Sequence, residues 1–297
     1  MFMKSGKKIG LIVVAAVFVL FAGIIYKLIF RRSIPREAAS AQPAVTAVEP
    51  TSTIDTILPI TAEAYGVYSI NGSEIMGDNV NKVWPLASIT KLMTAEVATT
   101  MMASDTPITI TSSTLEEIGG KDSRVKIGQV YPLNQILKLM LVMSDNAAAQ
   151  AIADNYGNTQ FIAAMNSEAK ALAMNQTNYA DSVGLSNNSV STVADMARLV
   201  SYLWINNKNV LDTTKIATGY VYTEGSGVGH FIINIDELSG HPDFLGGKTG
   251  TTPDAKDNII AILRRDNINN GEPFIIAVFG SINRYADVNK IIAAIPQ

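Results

Sequence analysis

The chain has 297 residues, 47% hydrophobic and 16% charged, enough for one domain of roughly 200–250 residues with a sizeable core and some extension. Residues 1–33 carry six basic and no acidic side chains, leaving 17 basic against 26 acidic beyond them; so acidic a body argues against nucleic acid as a partner. Cysteine is absent, which excludes a disulfide, a thiolate nucleophile and a cysteine-bound metal, and the two histidines, His230 and His241, match no metal-ligand spacing.

Ile9 to Tyr26 is an uncharged apolar run of 18 residues. At about 1.5 Å per residue it nearly spans a hydrocarbon core of about 30 Å. Leu28 to Phe30 extend it, because Lys27 can snorkel. A cleaved signal peptide has a shorter apolar stretch with a small-residue site just after it, whereas Arg31 and Arg32 follow here. Residues 1–32 therefore read as an uncleaved transmembrane anchor. Three basic residues flank the run on each side, so counting positive charge leaves its orientation open. Residues 33–59 are rich in Ala, Pro, Ser and Thr and read as an extended tether.

Residues 60–297 read as one folded domain. Tyr65 to Ile70 alternates, Asn71-Gly72 supplies a hairpin turn, and Ser73 to Met76 returns. A helix is expected from about Ser88, just after Pro85. Further helices are expected over 133–142, 146–155, 160–173 and 191–204. Strands are expected over 244–251, 258–264 and 273–281, and a last helix over 285–295. Hairpin, helix block, three strands and helix make an α+β chain: an antiparallel sheet joined to a mostly helical lobe.

Three short patterns occur in order: SxxK at Ser88–Lys91, SxN at Ser144–Asn146, and KTG at Lys248–Gly250. Such a set occurs in serine acyl-transfer enzymes that act on or are blocked by β-lactams. Each pattern alone is weak. SxxK recurs at Ser5, Ser123 and Ser167, and SxN at Ser69, Ser186 and Ser281. Context selects Ser88. It opens a helix, where backbone N–H groups are free and the dipole favours an oxyanion, and Lys91 lies one turn on, on the same face.

A serine hydroxyl needs a base within reach, and a neutral lysine serves where histidine does not. Lys91 is the candidate base, its charge opposed by burial and by a second cation, Lys248. Ser144 is placed to relay a proton to the leaving amine, and Asn146 to hold the substrate amide. Lys248 and Thr249 are candidates for binding a terminal carboxylate. The N–H groups of Ser88 and Thr251 are candidates for the oxyanion hole.

The stretches WPLASITKLMTA, YPLNQILKLMLVMSDNAAAQAIAD, FIAAMNSEAKALAM, STVADMARL and GGKTGTT resemble the serine D-alanyl-D-alanine carboxypeptidases, the low-molecular-mass penicillin-binding proteins. The resemblance covers about residues 60 to 297. It implies a β-lactamase/transpeptidase-like α/β fold and cleavage of D-alanyl-D-alanine in peptidoglycan stem peptides through an acyl-enzyme on Ser88. It also implies β-lactams as covalent inhibitors, no cofactor and no metal. With the anchor, it places the protein in the bacterial cytoplasmic membrane, single-pass, with the catalytic domain outside.

Asp145 and Ala147 depart from the family's usual residues around SxN, and Lys256 stands where a glycine often follows Ala255. Three alternatives remain at this point. One is an endopeptidase acting on peptidoglycan cross-links. Another is a β-lactamase, which needs a deacylating carboxylate; Glu168 lies in an unsuitable segment and Asp181 in a peptidase-like one. The third is a non-catalytic module that binds wall peptides.

Overall fold

The computed structural model describes residues 58–118, 124–225 and 229–295. The expected anchor, nearly all of the tether and the SxxK copies beginning at Ser5 and Ser123 lie outside them. Among the described residues, no helix is long and apolar enough to cross a membrane.

The chain runs through β1 (Ala64–Ser69), β2 (Glu74–Asp78) and the short β3 (Trp84–Pro85) into a 3-10 turn, Ala87–Thr90, and α1 (Lys91–Met101). Then come β4 (Pro107–Thr109), α2 (Ser112–Glu117), β5 (Val130–Pro132), α3 (Leu133–Val142), α4 (Asn146–Tyr156) and α5 (Asn158–Ala171). β6 (Val190–Ser191), α6 (Val193–Asn206), α7 (Lys208–Thr214), β7 (Thr218–Tyr222) and β8 (Gly229–Ile233) follow. β9 (Phe244–Thr252), β10 (Lys256–Leu263), β11 (Phe274–Ser281) and α8 (Arg284–Ala294) close the chain.

The main sheet is antiparallel, in the order β2-β1-β11-β10-β9. Its central strands are covered on both faces. Along β11, Ile275, Ala277 and Phe279 join the core of the helical lobe, while Phe274, Ile276 and Val278 pack with Val288, Ile291 and Ile292 of α8. This is the two-residue alternation of a strand, with both faces apolar because helices cover both. The N-terminal strand thus pairs with the C-terminal one: Ala64 faces Phe279 and Ser69 faces Phe274.

Caps mark the helix starts that matter for the site. Asp145 Oδ1 accepts from Ala148 N at 2.9 Å and begins α4. Thr192 and Asn283 cap α6 and α8 in the same way. The helix expected from Ser88 divides in two, a 3-10 turn carrying the serine and an α-helix that begins at Lys91. Sequence reading omitted α2, α7 and the β7–β8 hairpin, whose short segments lack a full helical or strand period. The hairpin pairs Tyr220 with Phe231 outside the main sheet.

Lys256 explains its own oddity. It sits at φ +53°, a backbone region that suits glycine, as the first residue of β10 just after the β9–β10 turn. Its Nζ lies 2.7 Å from Glu63 Oε1 and 5.8 Å from the Trp84 ring centroid. Hydrogen bonds from Lys256 and then Lys82 hold the Glu63 carboxyl down at about 2. The left-handed conformation costs roughly 1 kcal/mol, and a half-exposed ion pair returns about as little. Lys256→Gly is therefore expected to change stability by less than about 1 kcal/mol, as read by thermal unfolding.

Candidate active site

Ser88 is held by its surroundings rather than by its own helix. Buried Asn258 of β10 donates from Nδ2 to Pro85 O at 2.8 Å and to Leu86 O at 3.3 Å. Its Oδ1 accepts from Gly280 N of β11 at 2.8 Å, so one side chain ties the turn carrying Ser88 to two strands. From the other side, Leu86 N donates to Ser189 O at 2.9 Å. Gly250 packs directly on the turn: a Cβ there would lie 2.8 Å from Ser88 N and 2.9 Å from Leu86 O. The glycine of KTG is needed so that strand β9 can approach the serine backbone.

Lys91 is fully buried. Its Nζ lies 2.8 Å from Ser88 Oγ, 2.9 Å from Asn146 Oδ1 and 2.9 Å from Val183 O. Two of these partners, the carbonyl oxygens, can only accept. A neutral amine has two N–H bonds for them, and its lone pair is left for the Ser88 hydroxyl. Electrostatics favours that neutral form. Burial first, and then the charge on Lys248, hold the Lys91 ammonium well below the ordinary lysine range, against the opposing pull of Asp145 and Asp181.

Lys248 is also buried, and its Nζ donates to Thr249 O at 2.9 Å. Burial depresses it to about 8; Asp236 works against that shift and Arg284 with it. A cleft of about 460 Å³ opens between these elements, and Ser88, Ser144, Thr249 and Thr251 all line it. Thr251 Oγ1 donates to Asp257 Oδ1 at 3.0 Å.

Of the seven residues expected from sequence, Ser88, Ser144, Thr249 and Thr251 line the cleft, Lys91 and Asn146 connect to it through Ser88, and Lys248 precedes Thr249 on β9; two points qualify the expected roles. Ser144 stands at φ +57° in the tight link between α3 and α4, and none of the hydrogen bonds found joins it to Ser88 or Lys91. Asn146 presents its carbonyl oxygen to Lys91, so its first partner is the candidate base rather than a substrate amide. Asp145 turns its carboxylate inward. Oδ1 caps α4 and Oδ2 accepts from Arg124 N at 3.0 Å, which explains an acid in the middle of SxN. His230 and His241 are absent from the residues lining the cleft.

A match to the family model described as D-alanyl-D-alanine carboxypeptidase spans residues 50–282. This chain belongs to the D-alanyl-D-alanine carboxypeptidase family. A D-alanyl-D-alanine endopeptidase of Pseudomonas aeruginosa is 40% identical over 132 residues, 43% of each chain. The Bacillus subtilis D-alanyl-D-alanine carboxypeptidase DacF is 26% identical over 234 residues, 74% of this chain and 58% of that one. The chain spans about half the length of the curated relatives it matches first. The crystal structure of a Mycobacterium tuberculosis D-alanyl-D-alanine carboxypeptidase aligns with a TM-score of 0.71 at 22% identity, over 83% of this chain and 95% of that one. That likeness shows the fold, a mixed α/β DD-peptidase fold as expected.

In this member of the D-alanyl-D-alanine carboxypeptidase family, the structure adds residues that no short motif announced. The 181–189 loop supplies Val183 O to Lys91. It is organised by Asp181, which accepts from the N–H groups of Val183, Gly184 and Ser186 and from Ser189 Oγ. Arg284, at the start of α8, reaches the cleft. Its Nη1 donates to Gly250 O at 3.2 Å and Asn258 O at 2.6 Å, and its Nη2 to Thr251 Oγ1 and Asp257 Oδ1. Arg284 follows Lys248 by 36 residues, too far for any spacing rule to join them.

Gly184 fastens that loop to the nucleophile turn. It has φ +87°, and a Cβ there would lie 1.9 Å from Ala87 O and 2.8 Å from Thr90 Oγ1. Gly184→Ala is expected to cost more than about 2 kcal/mol through strain and overpacking. It should also slow labelling by a fluorescent penicillin, because it displaces the neighbouring Val183 carbonyl. Thermal unfolding and labelling rate, measured on the same sample, check both.

Proposed function

We propose that this protein is a serine D,D-peptidase, anchored in the bacterial cytoplasmic membrane with its catalytic domain outside, that cleaves D-alanyl bonds in peptidoglycan stem peptides. The observation that carries the reading is the contact between a fully buried Lys91 Nζ and Ser88 Oγ at 2.8 Å, with two carbonyl oxygens occupying the other side of the amine. Lys91 takes the Ser88 proton as Oγ attacks the carbonyl carbon of the D-alanyl amide. The oxyanion forms against the N–H groups of Ser88 and Thr251. Ser144 gives its hydroxyl proton to the leaving amine and takes in return the proton held on Lys91, the C–N bond breaks, and an ester on Ser88 remains beside a neutral Lys91. Water then hydrolyses the ester. Lys248 and Thr249 hold the carboxylate next to the scissile amide, and Arg284 adds positive charge to that end of the cleft.

Two substrate readings share this chemistry. Cleavage of cross-links is favoured by the Pseudomonas relative, named an endopeptidase, at 40% identity. Removal of a terminal D-alanine is the sequence expectation, and it is supported by the Bacillus relative at 26% identity over a longer span. The β-lactamase alternative loses ground at Asp181. Its oxygens accept three loop N–H groups and a hydroxyl, so it is not a base poised over a water. Ser88 and Lys91 in contact argue likewise against a purely binding module.

The test is mass spectrometry of the purified protein after benzylpenicillin, followed by incubation with defined muropeptides. A persistent adduct on the peptide containing Ser88, absent in Ser88→Ala, is expected. Cross-linked dimers should fall to monomers faster than pentapeptides lose D-alanine. Rapid penicillin turnover without an adduct would overturn the peptidase reading.

A further inference from the structure

The β7–β8 hairpin carries a surface that catalysis does not use. Register places Tyr220 opposite Phe231 and Thr218 opposite Ile233 on its outer face, while Val221 and Ile232 point into the core. Tyr220, Phe231 and Ile233 are 54%, 53% and 56% exposed, and Tyr222 adds a further exposed ring. Antiparallel sheets normally turn a polar face to water. Contiguous apolar surface of this kind marks an interaction site.

The surface is tied to the elements around it and leads to the cleft. Tyr222 N donates to Gln135 Oε1 on α3, Glu224 N donates to Val130 O, and Asn234 Nδ2 donates to Thr214 O and Ile216 O. The alternation continues past the strand: Phe231, Ile233 and then Ile235, which itself lines the catalytic cleft and is pinned by its N–H to Val142 O at 3.1 Å. The Tyr220 and Phe231 rings stand 5.3 Å apart between centroids, tilted to one another.

We propose that this outer face is a stacking platform for the sugar rings of the glycan strand whose stem peptide occupies the cleft. The inference rests on the peptidase reading and adds to it the part of the substrate that reaches beyond the peptide. Three features select a saccharide. Tyr220, Tyr222 and Phe231 offer flat apolar faces, two of them with a hydroxyl at the edge, and so suit a ring with apolar C–H faces and polar rims. The strand residues of the hairpin include no lysine or arginine, and beside them exposed Glu224 is balanced by exposed Arg124, which shares a small pocket with Phe231, whereas surfaces that seat on anionic lipid carry basic side chains in excess. Finally, a strand of five residues presents about 17 Å of face, comparable with several sugar rings in a row.

The experiment compares full-length protein with the Tyr220→Ser/Phe231→Ser double variant, each also in a Ser88→Ala background. Co-sedimentation of the Ser88→Ala proteins with insoluble peptidoglycan reads binding without turnover. The double variant is expected to bind about tenfold more weakly, the scale on which aromatic anchors act. Its rate of acylation by benzylpenicillin should be unchanged, which also shows that it folds. Stripping the stem peptides with an amidase and repeating the sedimentation on bare glycan should preserve the difference. Equal binding of both proteins to wall polymer overturns the platform. So does a loss confined to vesicles of phosphatidylglycerol and phosphatidylethanolamine, which would assign the face to lipid. Failure of the peptidase reading has a separate signature: no acylation of Ser88 in the parent protein.

Discussion

Lys91→Met is expected to slow acylation of Ser88 by about 10²- to 10⁴-fold, the range a positioned general base supplies. Methionine keeps much of the side-chain volume, so the pocket stays filled and the loss reports the amine. Stopped-flow labelling with a fluorescent penicillin measures it. A variant that acylates at the parent rate would remove Lys91 from the mechanism. The same substitution has a signature in stability. In the folded protein Lys91 titrates well below the ordinary lysine value because it is buried and faces Lys248. Between those two values the unfolded chain binds a proton that the folded one does not. Stability therefore rises with pH across that window, by about 1.4 kcal/mol per pH unit for one such group, and on acidification it falls across the same window until the buried amine is itself charged. Lys91→Met should lose that contribution to the slope, visible in denaturant melts at pH values below the ordinary lysine value. Activity should follow the same group, falling on the acid side as Lys91 becomes protonated.

The second large effect concerns Lys248. Lys248→Gln is expected to lower kcat/KM for a carboxylate-bearing peptide by about 10²- to 10³-fold, since a buried charge that meets a carboxylate is worth about 2–5 kcal/mol on truncation. The parent enzyme should lose the same interaction by titration. Burial depresses Lys248 to about 8. Above that pH the charge departs, and the rate on such a peptide should decline, approaching tenfold per pH unit. Stability moves the other way. From about 8 up to the ordinary lysine value the unfolded chain holds the proton and the folded chain does not, so the fold gains. A substrate lacking the carboxylate should show no such alkaline limb. A flat alkaline profile for the carboxylate substrate would separate Lys248 from its recognition.

Much of this architecture was legible in the residues. The apolar helix Leu133–Val142 falls where its periodicity put it, and the strands ending the chain lie within about two residues of their expected bounds. Long, strongly patterned segments declare themselves, because burial on one face or both is written into their composition. The short α7 and the β7–β8 hairpin did not, since their outlines depend on what they pack against. Among the candidate sites, Ser88, Lys91, Asn146 and Lys248 are selected by motif and local context; the fold brings Ser88 and Asn146 into contact with Lys91 and sets Lys248 near enough to act on its charge. Arg284 and the Val183 carbonyl were invisible: one comes from a distant helix, and the other is a backbone atom that any residue type could supply.

By itself the sequence determined the order of elements and the chemical kind of each reacting group, because hydroxyl, amine and amide are properties of single residues. Tertiary structure alone decided the state of those groups. Whether Lys91 is a charge or a base depends on burial and on Lys248, which is 157 residues away along the chain and its neighbour only after β9 packs against the nucleophile turn. Electrostatic work depends on distance and dielectric, and neither exists until the chain has closed on itself.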